Sequence, residues 1–185
     1  MKTILKQALL ASCIMASAQA ATADNGIHYN FVELRYVDVE VDDTGADGDG
    51  FSLGGSFRLN EKYYIRGDYQ DLEIEDVDAT VLELGVGYIH PYDKMDLIAE
   101  INYIDVDIDI SGGDDDGFLF TGGLRTYLSP KLEGRASINH VTLDDDDTYI
   151  QLGANYSLTD LLSVDGSYRL GGDLDELTVG VRYIF

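Results

Sequence analysis

Residues 97–110 alternate with period two, which predicts a β-strand with two chemically distinct faces. One face carries Leu97, Ala99, Ile101 and Tyr103, then Asp105, Asp107 and Asp109. The other carries Ile98, Glu100 and Asn102, then Ile104, Val106, Ile108 and Ile110. At Tyr103 the two faces exchange chemistry while the parity holds. A strand in a soluble sandwich has no reason to do this. A strand leaving a bilayer does: its outward face is apolar in hydrocarbon, aromatic at the interface and acidic in water, and its inward face is polar at membrane depth. The same pattern recurs in residues 36–41 and 69–74 and, more weakly, in 138–144, an internal repeat of up-strand and down-strand.

Extending the alternation along the chain predicts strands over residues 27–41, 51–59, 62–74, 80–90, 94–110, 118–128, 132–143, 148–158, 162–170 and 175–185. Between them lie Gly/Asp-rich loops and tight turns such as Asn60-Glu61, Pro91-Tyr92-Asp93 and Ser129-Pro130. Each strand has about the 9–11 residues that a tilted strand needs to cross a bilayer. Strands can cross only in a closed barrel, because an open edge would leave backbone groups unpaired in lipid. The expected fold is therefore an all-β, transmembrane, antiparallel up-and-down barrel of ten strands, with eight as the alternative.

The charges, which were not used to draw the strands, test them. All seven arginines (Arg35, Arg58, Arg66, Arg125, Arg135, Arg169 and Arg182) fall on the inward parity, as do Glu33, Asp68, Glu83, Glu100, Glu133 and Asp165. A basic residue on the lipid face costs roughly 2–4 kcal/mol at the bilayer midplane. Lys62, Lys94 and Lys131 all sit at one set of short turns, while most acids gather at the other end. Short turns mark the periplasmic side, so the acid rim faces outward.

Residues 1–20 carry a basic start (Lys2, Lys6), a short apolar run and an Ala18-Gln19-Ala20 cleavage site, which reads as a secretory signal peptide. The apolar run is too short to span a bilayer as a helix. A rival reading takes Leu10-Ala11-Ser12-Cys13 as a lipoprotein box with Cys13 lipidated. Cleavage after Ala20 leaves a short leader, residues 21–26, a barrel from residue 27 to 185, and no cysteine. With 35 acidic against 12 basic residues and a net charge of −23, nucleic acid is a poor partner and cations are good ones. Such acidity can mean disorder, but thirteen tyrosines, six phenylalanines and the strict alternation argue against it.

The signal peptide, the even number of amphipathic strands and the terminal Val179-Gly180-Val181-Arg182-Tyr183-Ile184-Phe185 resemble the small outer-membrane β-barrels of Gram-negative bacteria, the OmpA-like and opacity-like barrels. The resemblance implies that Val179, Val181, Tyr183 and Phe185 form the C-terminal signal read by the barrel-assembly machinery. It also implies residence in the cell outer membrane. Ten strands depart from the commonest eight.

Three candidate chemistries follow. Asp38, Glu40, Asp71, Glu73, Asp105, Asp107 and Asp109 point outward above the aromatic level; as oxygen donors they suit Ca²⁺ or Mg²⁺, which would bridge them to lipopolysaccharide phosphates. A plain solvated face is the alternative. The luminal Arg/Glu/Asp set is either a structural plug of ion pairs or a narrow polar pore with a basic constriction. Above it the lumen turns apolar (Val37, Val39, Val41, Leu72, Ile74, Val106, Ile108, Ile110, Val141, Leu143), either as a small dry core or as an entry site for a small hydrophobic molecule. Catalysis is not expected: His140 and Thr142 share the outward face, with no acid placed beside them. The expected function is an envelope-stabilising barrel with a cation-binding rim. A narrow porin-like channel and a surface adhesion module are the alternatives.

Overall fold

The computed structural model describes residues 25–41, 45–75, 77–109, 114–144, 146–172 and 174–185. Residues 1–20, expected to be a signal peptide, with Cys13, residues 21–24 of the expected leader, and Ile110 lie outside the described residues. Ten strands follow one another: β1 (Phe31–Val41), β2 (Ala46–Arg58), β3 (Tyr63–Ile74), β4 (Val77–Tyr92), β5 (Met95–Ile108), β6 (Asp115–Ser129), β7 (Leu132–Thr142), β8 (Asp147–Ser157), β9 (Leu162–Leu170) and β10 (Leu174–Ile184). Each pairs antiparallel with its sequence neighbours, and β1 pairs with β10 from Phe31↔Ile184 to Val41↔Leu174, which closes the barrel. Every strand thus has two partners and no edge is left in lipid.

The alternation dictates which side chains face which phase. In β1, Val32, Leu34 and Tyr36 point outward and are exposed, while Phe31, Glu33, Arg35 and Val37 are buried in the lumen. The outward belt continues around the barrel through Leu53, Ile65, Leu84, Ile101, Phe120, Leu152, Val164 and Val181, all exposed and apolar, the surface expected against hydrocarbon. Aromatic pairs mark its limits. Tyr36 meets Phe51 edge-on toward the acid end, with ring centroids 5.9 Å apart, and Tyr63 packs on Tyr88 toward the lysine end, at 5.5 Å.

Two strand starts depart furthest from the alternation reading, each for a physical reason. The second strand begins at Ala46 instead of residue 51, because Asp47 and Asp49 pair with Glu40 and Asp38 of β1 and prolong the hairpin beyond the belt. The first strand begins at Phe31 instead of residue 27. Residues 25–30 turn inside the barrel and stop its lysine end: Ile27 and Tyr29 are 0% and 2% exposed and pack with Tyr64, Ile89, Ile98 and Tyr127. The barrel wall therefore starts at residue 31, and Ile27 and Tyr29, expected in the first strand, belong to the core inside it.

Candidate functional site in the lumen and at the acid rim

The lumen is layered from the lysine end outward. The first layer is the plug. Asn25 donates to Met95 O at 2.9 Å and to Asp96 Oδ1 at 2.8 Å; Tyr29 OH donates to Asp96 Oδ2 at 3.0 Å. Arg125 binds His28 O at 3.0 Å and stacks its guanidinium over the Tyr29 ring at 4.3 Å. Arg58 is buried here and donates to the turn carbonyls of Asn60 (2.8 Å) and Glu61 (2.7 Å), so it braces a turn as well as the plug.

The second layer is a network of ion pairs. Arg35 binds Asp68 and lies 3.6 Å from Glu33; Arg182 binds Glu33 at 2.7 Å and Asp165 at 3.3 Å; Arg135 grips Asp165 with both terminal nitrogens. Arg125 pairs with Glu133 at 2.7 Å, and Arg66 approaches Glu100 at 3.6 Å while Tyr64 OH donates to Glu100. The structure thus brings Glu33, Arg35, Asp68, Asp165, Arg135 and Arg182 into one cross-lumen cluster. Glu83 lies opposite Asp68 on the next strand and, with no ion pair of its own among the described residues, faces the layer above. Arg169 sits higher too, bound to Asp147 at 2.6 Å and stacked over Tyr149 at 3.7 Å. A small chamber of about 80 Å³ lies within the network.

The third layer is a larger chamber of about 270 Å³. Val37, Val39, Leu72 and Ala79 form one apolar cluster of its surroundings and Ile104, Leu119 and Val141 another. The apolar outer lumen is therefore not one continuous core: its side chains form two clusters around a space. Arg35, Arg66, Thr121, Asn139 and Gln151 line both chambers and form the waist between them.

Outside the belt, the seven rim acids are all exposed. Register sets Asp38 opposite Asp49 and Asp49 opposite Glu73, a row of carboxylates over three neighbouring strands about 4.8 Å apart. Asp47 and Glu75 join them around an open recess of about 320 Å³. Asp71 and Asp107 flank Thr80, and Asp105 faces Asp116. Glu40 lies between Asp47 and Asp175, and Asp109 N donates to Asp78 O at 2.9 Å. The Asp107 carboxyl is pushed above the ordinary carboxylate range, first by the charge of Asp114 beside it. Among the described residues no three acids converge closely enough to hold a metal ion by themselves.

Sequence reasoning missed Asp47 and Asp49, placed in a loop, and likewise Asp147, the partner of Arg169. It also missed Glu176, which stands in the outer chamber, and the whole plug with Asp96. Strand parity extended a few residues past each assumed end would have found Asp49 and Asp147, and Glu176 already stood on the inward parity of the last expected strand. His140 and Thr142, which share the outward face, bond elsewhere: His140 Nδ1 meets Thr148 Oγ1 at 2.8 Å, and Thr142 bonds the backbone of Phe118. Of the assembly residues, Val179, Val181 and Tyr183 face lipid on the closing strand. Phe185 is half-buried, and its N–H donates to Asn30 O at 3.2 Å.

No protein-family model matches the sequence. No curated protein matches it either. Among solved structures it is similar to an outer membrane channel from Pseudomonas putida F1, with a TM-score of 0.55 and 9% identity over 92% of this chain and 100% of that one. It is also similar to the KdgM porin in complex with disordered oligogalacturonate, with a TM-score of 0.50 and 10% identity over 84% and 99%. Neisserial surface protein A matches at a TM-score of 0.44, 16% identity, 85% and 96%. At such identities the likeness is one of fold. The chain is a transmembrane β-barrel of the outer-membrane type, and its apolar belt and fold place it in the cell outer membrane.

Proposed function

We propose that this barrel stabilises the cell envelope, closed at rest, with an acid rim that gathers Ca²⁺ or Mg²⁺ against the phosphates of outer-leaflet lipopolysaccharide. The observation that carries the reading is the row Asp38, Asp49 and Glu73, with Asp47 and Glu75 around the same recess, pointing out of the belt at strand spacing. Carboxylates so close repel one another and gain from a divalent counter-ion. Because no three of the described acids make a chelate, each ion takes its remaining ligands from water or lipid phosphate, which ties protein to leaflet. The test is the unfolding temperature in bilayers containing lipopolysaccharide, with Ca²⁺ or Mg²⁺ and then with chelator. Wild type should unfold at a higher temperature with the ion, and Asp38→Asn, Asp49→Asn, Glu73→Gln combined should lose that difference. A wild type indifferent to divalent ions would reduce the rim to a solvated face.

A narrow channel for small solutes is the second reading. It is favoured by the two chambers in series with a shared waist, and it requires the plug of residues 25–30 to leave. On either reading the chain is a binding or transport barrel and no enzyme: the His140 and Thr148 contact is exposed and lacks a placed acid. The kinship we read to the OmpA-like and opacity-like barrels rests on the terminal strand, where we assign Val179, Val181, Tyr183 and Phe185 to recognition by the barrel-assembly machinery. We also read residues 1–20 as the export signal.

A further inference from the structure

The outer chamber combines apolar walls with charges that do not balance. Its arginines are committed: Arg35 to Asp68 and Glu33, Arg169 to Asp147 and the Tyr149 ring, Arg66 to Glu100. Two carboxylates remain, Glu83 on β4 and Glu176 on β10, both lining the chamber and neither within ion-pairing distance of a basic atom among the described residues. Arg66, on the strand beside Glu83, is the nearest relief, but one guanidinium between Glu83 and Glu100 still leaves an acid in surplus. Around them stand Leu72, Val81, Ile104 and Leu119.

We propose that this chamber is a binding site for a small amphipathic cation, an organic ammonium with a compact apolar body. A purely apolar ligand would displace the water that solvates Glu83 and Glu176 and give nothing back, which is costly for a buried charge. An anion would need a free guanidinium, and the arginines are already paired. A strongly hydrated inorganic cation would gain nothing from Leu72, Val81 and Ile104. An alkyl- or arylammonium satisfies both halves of the chamber, and its volume of about 270 Å³ suits a ligand of that size. The acid rim at its mouth attracts cations and repels anions on approach.

The experiment is calorimetric titration of the refolded full barrel with phenethylammonium, and in parallel with phenylpropanoate, which carries a like body and the opposite charge. Saturable binding of the ammonium is expected, with the carboxylate weaker by about tenfold or more. Glu83→Gln with Glu176→Gln should weaken the ammonium by about tenfold or more, and the barrel should still fold because no ion pair is broken. Val81→Phe fills the chamber without touching a charge and should also weaken it. Asp160→Asn, an exposed acid in the turn at the far lysine end, should leave the affinity unchanged. The proposal is overturned if phenylpropanoate binds as tightly, if neither the Glu83/Glu176 variant nor Val81→Phe changes the affinity, or if the ammonium shows no saturable binding.

Discussion

Asp165 shows how the lumen is held at the scale of one residue. Its side chain is wholly buried and accepts from Arg135 and Arg182 at once. A buried ion pair is not stabilising by mere presence, since desolvation offsets the attraction, but removing one member leaves the other charge stranded. Asp165→Asn strands the Arg135 guanidinium, leaves Arg182 with Glu33 alone, and should lower unfolding stability by about 3–5 kcal/mol, measured by urea titration in lipid vesicles. A loss below about 1 kcal/mol would mean that the arginines find water or another carboxylate. The geometry depends on a neighbour the charge pattern does not reveal. A Cβ on Gly153 would stand 2.5 Å from Arg135 Nε, so the bare backbone of β8 is what lets the arginine lie flat toward Asp165. Tyr64 lies over Gly87 in the same way.

At the scale of the element, the plug is the segment that fills the lysine end of the lumen. It is a single short segment, yet its contacts reach around the barrel: Asn25 to β5, Arg125 and Tyr127 of β6 to its carbonyls, and Arg58 N of β2 to Asn30 Oδ1 at 2.7 Å. Wild-type protein, shown to be folded and inserted, should be silent in a planar bilayer. Removal of residues 25–29, or Ile27→Asp with Tyr29→Ala, should give discrete current steps by opening the lysine end. Steps from wild type would favour the channel reading outright. Silence from the variants would show that the ion-pair layer closes the barrel alone. The strands themselves were readable because inward and outward residues meet different solvents, so the period-two signal is strong. The plug was not readable: Ile27 and Tyr29 carry the same alternation as β1, and nothing local says that the chain has left the wall.

At the scale of the whole molecule, the charge distribution sets how the barrel answers pH and ions. A net charge of −23 is concentrated at one end, where Asp107 is held above the ordinary carboxylate range by Asp114. The folded state then binds a proton more readily than the unfolded chain, so stability falls as pH rises through that group's range. In chelator, Asp107→Asn should therefore unfold at a higher temperature than wild type at neutral pH. The two should converge as pH drops below the range in which Asp107 titrates. A gap that persists or grows on acidification, followed by circular dichroism melts across pH, would contradict rim repulsion. Added Ca²⁺ should narrow the same gap at neutral pH by screening Asp107 from Asp114 and the neighbouring Asp105 and Asp109.

The sequence by itself determined the ten-strand barrel and the inward parity of every arginine, because each depends on the contrast between lipid, water and lumen, which is written residue by residue in the alternation. Tertiary structure alone decided who meets whom across the lumen. Glu33 reaches Arg182 from opposite ends of the chain, Asp68 takes Arg35 while Glu83 and Glu176 are left over, and residues 25–30 fill the lysine end. Those outcomes rest on the closure of β1 against β10, on strand tilt and on the room left by glycines, and all of these are properties of the closed barrel.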